Sequence, residues 1–215
     1  MFFMAEYQKK TIVFAGDSIT DSGRDHDAPI CPGMMLGNGY VKLLDDYWQA
    51  QMGQNAPVLI NAGFNGNTSH QLRARFDTDV APFQPDILVM LIGVNDQYMK
   101  ENGYEECTVE NYRNQLDQML TGYGDSYDQV VVMTPFFLEP LEGSDRRAAL
   151  VPYQEALKEE AAKHANLTLI DLQALWDGEI VKPDYVEAEF TADRVHLLPK
   201  AASLVRDELL KVISL

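Results

Sequence analysis

Two cysteines among 215 residues, Cys31 and Cys107, are too few for a disulfide framework and stand at no zinc-ligand spacing. They fit a reducing compartment or, at most, one optional bridge. Basic residues are scarce as well. Seventeen Lys and Arg against 33 Asp and Glu leave a formal charge of −16, which repels phosphate backbones and anionic membrane surfaces. Neither nucleic acid nor membrane is expected as a partner. The longest apolar run, residues 87–92 continuing past Gly93 to Val94, falls far short of the ~18 residues that a membrane span needs. Residues 1–6 show neither a basic leader nor an apolar stretch of signal-peptide length, so a cytoplasmic protein is expected. Internal repeats, a Pro-, Gly- or Ser-rich linker and a shift in composition are all missing, which points to one domain over residues 1–215.

What is present is ordinary globular material, with 46% hydrophobic and 23% charged residues. Short β-branched apolar runs recur at residues 11–15, 57–60, 87–92, 130–133 and 167–170, and read as strands buried on both faces of a parallel sheet. Helical patterns lie between them. Tyr40, Leu43, Leu44, Tyr47 and Trp48 form one apolar stripe. Residues 72–80 predict a second helix capped by Thr68 or Ser69, and residues 109–120 a third started by Thr108. A fourth is predicted over residues 152–163 with Pro152 in its first turn, and a last one over 204–212. Alternation of this kind predicts an α/β fold: a three-layer α/β/α sandwich around a mainly parallel five-stranded sheet of flavodoxin-like order.

Open parallel sheets place ligands beyond the carboxyl ends of their strands, so the segments there carry the functional reading. After the first strand comes Gly16-Asp17-Ser18-Ile19-Thr20-Asp21-Ser22-Gly23-Arg24. A serine past a glycine at a strand end can sit in a tight turn with its hydroxyl exposed, or can simply cap a helix. After the second strand, Gly63 is either a plain turn glycine or a place where a backbone N–H approaches a substrate oxygen. Beyond the third strand, Asn95 can offer its amide to a developing oxyanion or hold its loop by local hydrogen bonds. Near the C-terminus, Asp193 and His196 stand three apart, a spacing that lets a carboxylate meet an imidazole. His26, His70 and His164 have no such setting and read as surface or packing residues.

In their order along the chain, these blocks resemble the SGNH hydrolases, also called the GDSL family of esterases and lipases. The resemblance runs from residue 11 to about residue 210. It implies Ser18 as nucleophile, the backbone N–H groups of Ser18 and Gly63 with the Asn95 amide as oxyanion donors, and Asp193 and His196 as acid and base. It implies an acyl-serine mechanism that needs no metal and no organic cofactor. Residues 16–24, 36–41, 133–136 and 193–196 are similar to a narrower branch, the acetylxylan esterases and related carbohydrate deacetylases. That branch implies short-chain, O-acetyl esters of carbohydrates such as acetylated xylo-oligosaccharides as substrates. It also implies substrate contacts for Asp17, Arg24, Tyr98 and the Ala192 position, where the branch can carry Trp. Leu197 departs from the proline the family usually has. Relatives that self-associate make a homo-oligomer compatible with the resemblance.

Other readings weigh less. Asp17, Asp21, Asp25 and Asp27 lack the EF-hand spacing and read as a solvated acidic loop. Tyr98, Tyr104, Phe136, Phe137 and Trp176 could stack on a sugar, although aromatics more often pack. Arg24 is suited either to fixing Asp21 or to orienting a substrate, and Arg146 and Arg147 read as a loop, a lid or a subunit contact. A nucleotide site needs a glycine-rich phosphate loop that residues 16–20 do not supply. A lysophospholipase or thioesterase fits only the broad family, and a non-catalytic carbohydrate-binding subunit leaves four filled positions without a purpose.

Overall fold

The computed structural model describes residues 9–123 and 126–215; the leader reading of residues 1–6 lies outside them. Five strands form one parallel sheet: β1 (Thr11–Gly16), β2 (Val58–Gly63), β3 (Ile87–Leu91), β4 (Gln129–Met133) and β5 (Leu167–Ile170). Their order is β2-β1-β3-β4-β5, the flavodoxin-like order expected. Gly16 is level with Gly63 on one side and Leu91 on the other, so the first three strands end on a common line. The inner strands are buried as their β-branched composition requires. The edge strand β5 departs from that expectation: Leu167 and Thr168 are half-buried and Leu169 is exposed, whereas β2 at the opposite edge is buried from Leu59 to Gly63.

Among the described residues, ten α-helices connect and flank the strands. The short α1 (Ser18–Asp21) follows β1 directly, and α2 (Tyr40–Met52) buries Tyr40, Val41, Leu44 and Trp48. Tyr47, expected in that stripe, is exposed, and Val41 takes its place. The single helix expected over residues 72–80 is two pieces, α3 (Ser69–Ala74) and α4 (Phe76–Asp79). The break is at Arg75, whose side chain reaches back to Gly16 O at 3.1 Å and to Asn67 Oδ1 at 2.6 Å. Thr68 caps α3 in a reciprocal capping box with Gln71.

Next come α5 (Val94–Glu101) and α6 (Val109–Tyr123), the latter capped through Thr108 Oγ1, which accepts from Asn111 N at 3.2 Å. Helix α7 (Asp145–Ala161) begins well before the expected residue 152. Ser144 caps it by accepting from Arg147 N at 3.2 Å, and Pro152 lies in its interior. Proline there removes one main-chain donor, a loss the helix tolerates because its Leu150, Tyr153, Ala156 and Leu157 face is buried. After α8 (Leu172–Ile180) and α9 (Glu187–Phe190), α10 (Pro199–Val212) closes the chain, with Pro199 in the first turn and its start five residues ahead of the expected one. Cys31 and Cys107 are unpaired. Among the described residues no helix is long and apolar enough to cross a membrane.

The Thr68 box holds the start of α3 just behind the loop that follows β2. Thr68→Ala is expected to lower unfolding free energy by about 1 kcal/mol, read as a lower urea midpoint at unchanged slope.

Candidate active site

The turn after β1 is set by Asp17. Its side chain accepts from Ile19 N at 3.0 Å, and its backbone carbonyl accepts from Asp21 N at 2.9 Å. This starts α1 at Ser18, whose own N–H lies ahead of the first helical bond and so stays unpaired. Asp17 is itself buried. Burial pushes its carboxyl up to about 7; the Ile19 N–H opposes this and the nearby Asp96 adds to it. Its Oδ2 has no hydrogen-bond partner.

The segment ahead of α10 presents His196. Asp193 Oδ1 accepts from Val195 N at 3.0 Å and His196 N at 2.8 Å, while Oδ2 accepts from His196 Nδ1 at 2.6 Å. His196 Nε2 then faces Ser18 Oγ at 2.8 Å. The turn is not the helix-like one that the spacing suggested, since Arg194 between the two has φ 68. Partial burial alone would raise the Asp193 carboxyl, but the imidazole and the two backbone N–H groups outweigh it and hold it down at about 2. An ionised Asp193 fixes the proton on Nδ1 and leaves Nε2 free to accept from the serine hydroxyl.

Asn95 lies in the first turn of α5 and donates one amide hydrogen to Asn67 O at 3.0 Å. The second hydrogen is free to meet a ligand oxygen. Gly63 does not match the donor expectation. Its N–H already donates to Asn61 Oδ1 at 2.9 Å, and a Cβ there would run into the Asp21 backbone, with Cα at 2.8 Å. Glycine is required at 63 so that β2 can pass under α1. Three residues on, Gly66 has φ 77 and open space around it, and its N–H makes no hydrogen bond within the chain. It sits between Asn65, which lines the serine pocket, and Asn67, which holds Asn95.

Two cavities flank the Ser18–His196 pair. One, of about 330 Å³, is bordered by polar groups including Asp21, Arg24, His26 and Asn65. The other, of about 220 Å³, is lined by Val94, Asn95, Tyr98, Phe137, Arg146 and Val195. Tyr98 and Arg24 therefore border the site as expected. Arg24 donates its backbone N–H to Asp21 Oδ1 at 2.9 Å, and its guanidinium to Gly63 O at 3.3 Å. Asp17 and Ala192 border neither cavity: Asp17 is buried beneath the serine and Ala192 is exposed to solvent. Tyr104 is exposed, whereas Phe136 and Trp176 are core.

His26 was not legible as a site residue. Its Nε2 lies 2.6 Å from Asp21 Oδ2 and its ring stands edge-on to Phe64, 4.7 Å between centroids. The His-x-x-x-x-Asp relation is read backwards along a loop and has no regular period, so only the folded loop discloses it. Among the described residues no group of three or more His, Cys, Asp or Glu side chains is placed to hold a metal ion.

A serine bonded to an Asp-oriented histidine at the carboxyl edge of a parallel sheet defines an ester hydrolase of α/β/α architecture. The chain belongs to the GDSL-like lipase/acylhydrolase family, whose model matches residues 14–203. An acetylxylan esterase of Geobacillus stearothermophilus is 31% identical over 192 residues, which covers 86% of this chain and 85% of that protein. LAE5, an alpha/beta hydrolase enzyme from the metagenome of Lake Arreo, Spain, superposes with a TM-score of 0.85 at 28% identity, over 96% of this chain and 97% of its own. Axe2, an acetylxylan esterase from Geobacillus stearothermophilus, superposes with a TM-score of 0.85 at 27% identity, over 96% and 95%. Catalytic mutants of Axe2 include one serine, one aspartate and one histidine substitution.

The buried Asp17 has a consequence for stability. Its carboxyl is raised in the folded state to about 7, so it favours folding fully below the unfolded value and ceases to as pH rises through 7. Asp17→Asn keeps a side-chain oxygen for Ile19 N but cannot ionise. The variant is expected to gain on the parent by up to about 4 kcal/mol between pH 4 and pH 8, measured by urea unfolding across that range.

Proposed function

We propose that the protein is a serine esterase hydrolysing short-chain acyl esters of carbohydrates, O-acetylated xylo-oligosaccharides above all, through an acyl-serine intermediate. The observation that carries this reading is the unbroken relay Asp193 Oδ2–His196 Nδ1 at 2.6 Å and His196 Nε2–Ser18 Oγ at 2.8 Å. His196 takes the hydroxyl proton as Ser18 attacks the ester carbonyl, then returns it to the leaving alcohol; Asp193 stabilises the imidazolium in between. Water activated by the same imidazole releases the acid.

The tetrahedral oxygen is met by the Ser18 N–H, the free Asn95 amide hydrogen and the Gly66 N–H, which replaces Gly63 in this role. Each such donor contributes roughly 3 to 4 kcal/mol to the transition state. All the required groups belong to the protein, and the scheme uses no metal or organic cofactor. The cavity lined by Val94, Phe137 and Val195 suits the acyl group, and the one bordered by Arg24, His26 and Asn65 suits the hydroxylated alcohol. The identity with an acetylxylan esterase supports acetyl and xylo-oligosaccharide as the two halves. A cytoplasmic enzyme acting on imported oligosaccharides is consistent with this substrate.

Initial rates on p-nitrophenyl esters from acetate to octanoate and longer, run with variants, test the reading. Activity should fall steeply beyond acetate and vanish in Ser18→Ala with the fold intact. Asn95→Ala should lower kcat about 100- to 1000-fold at little change in KM. A preference for long chains would move the assignment to lysophospholipid or thioester substrates, which the apolar character of the second cavity could admit. Hydrolysis by Ser18→Ala at the parent rate would sink the serine mechanism.

A further inference from the structure

Beside the Asp193–His196 turn lies a carboxylate with no part in the chemistry above. Glu139 is 4% exposed. Its Oε1 accepts from Arg146 Nε at 2.7 Å and from the Ser144 hydroxyl; its Oε2 accepts from Arg146 Nη2 at 2.5 Å and Arg194 Nη1 at 3.4 Å. The Glu139 backbone carbonyl accepts from Arg147 Nη1 at 2.7 Å, and Arg147 is held in turn by Asp177. The bond from Arg146 leads the effects that bring the Glu139 carboxyl down to about 2. Glu139 is thus a fixed anion.

Two arginines stand near Asp193 without bonding it. Arg194 is its chain neighbour, and Arg146 feels its charge. Arg146 also lies over the Phe137 ring, 4.5 Å from its centroid, on the wall of the cavity that Ser18 and His196 share. A guanidinium binds a carboxylate through two parallel N–H groups and outcompetes a single imidazole N–H. Asp193 Oδ1 is taken by two backbone N–H groups and the Thr191 hydroxyl, so Oδ2, which holds the imidazole, is the oxygen that a guanidinium would contest. The turn also has Arg194 at positive φ, secured where Leu138 N donates to Arg194 O at 2.8 Å and Arg194 N donates to Thr191 Oγ1 at 2.8 Å.

We propose that Glu139 is a positioning residue that captures Arg146 and Arg194, so that Asp193 is left to His196 alone. The proposal rests on the catalytic reading of Asp193 and His196 given above. The other charged groups are accounted for. Glu187 takes Arg194 Nε at 3.0 Å, Glu142 and Asp145 border the same cleft, and Asp17 and Asp193 are the carboxylates that act on His196. None of these can take both arginines from the buried side.

Glu139→Gln keeps the shape and removes the charge. On p-nitrophenyl acetate its kcat is expected to fall about tenfold with KM within about twofold, the signature of a misplaced base and not of lost binding. With Glu139 neutral, Arg146 loses its carboxylate and Arg194 keeps only Glu187, and the added positive charge disfavours the imidazolium, so the acid limb of the kcat/KM profile should move about half a unit to lower pH. The downfield proton of the His196–Asp193 bond should weaken in the proton NMR spectrum. Adding Arg194→Gln should restore most of the lost kcat. An unchanged kcat and pH profile overturns the proposal, as does a loss with unmoved acid limb that Arg194→Gln does not relieve. If Glu139→Gln alone does not fold, the double variant decides: kcat within about threefold of the parent supports the proposal, and a loss beyond about tenfold overturns it. Hydrolysis by the unaltered enzyme that Ser18→Ala abolishes is the control, because its absence would count against the catalytic reading and not against Glu139.

Discussion

The hydrogen bond between His196 Nε2 and Ser18 Oγ joins residues 178 positions apart, and most of the architecture can be understood as what holds its two ends in place. Ser18 is delivered by the end of β1, the second strand of the sheet in space, and His196 by the turn before the last helix. A parallel sheet with right-handed crossovers brings every strand end to one edge, which makes such a meeting possible. The turn is anchored there by Leu138 N to Arg194 O at 2.8 Å from the segment after β4, and by Leu198 N to Phe190 O at 2.8 Å from below. Catalytic geometry tolerates errors of only about half an ångström, so these main-chain ties matter more than any surface ion pair.

Four carboxylates near that bond are shifted in opposite directions. Burial pushes Asp17 up to about 7 and Asp96 up to about 6, and hydrogen bonds to each only partly offset it. Glu139 and Asp193 are down at about 2: the arginines surround the first, and three donors on two neighbouring residues hold the second. The physical difference is burial against charged or multiple partners: Asp17 and Asp96 are enclosed with no cation bonded to them, whereas Arg146 and Arg194 reach Glu139, and the imidazole and two backbone N–H groups reach Asp193. The site thus separates carboxylates that tie backbone turns, Asp17 at Ile19 and Asp96 at Ser69, from those that carry fixed charge.

Much of the fold was legible. Apolar runs of strand length, alternating with helical stripes, led to the parallel sheet and its layers, because burial on two faces leaves a strong pattern in the inner strands. What misled was local. Pro152 looked like a first-turn residue, yet a buried face spanning Leu150 to Leu157 carries α7 through it. Arg75 was counted within one helix, but its bonds to Gly16 O and Asn67 Oδ1 mark a break that no periodicity announces. The edge strand β5 has a core-like sequence and a half-solvated position.

The site divides along the same line. Ser18, Asn95, Asp193 and His196 were readable from residue type, order and placement at strand ends, because those features are written along the chain. The sequence could not say which glycine of the Asn61-Ala62-Gly63-Phe64-Asn65-Gly66 segment presents a free N–H. That depends on where Asn61 turns its amide and on which peptide lies under α1. Nor could it show that His26 and Glu139 lie beside the Ser18–His196 pair. Chemical identity is a property of single residues, and the sequence by itself determined it. The direction of an N–H, the charge of a carboxylate and the choice of an arginine's partner were decided only by the tertiary structure, because each is set by neighbours that are remote in the chain and adjacent in space.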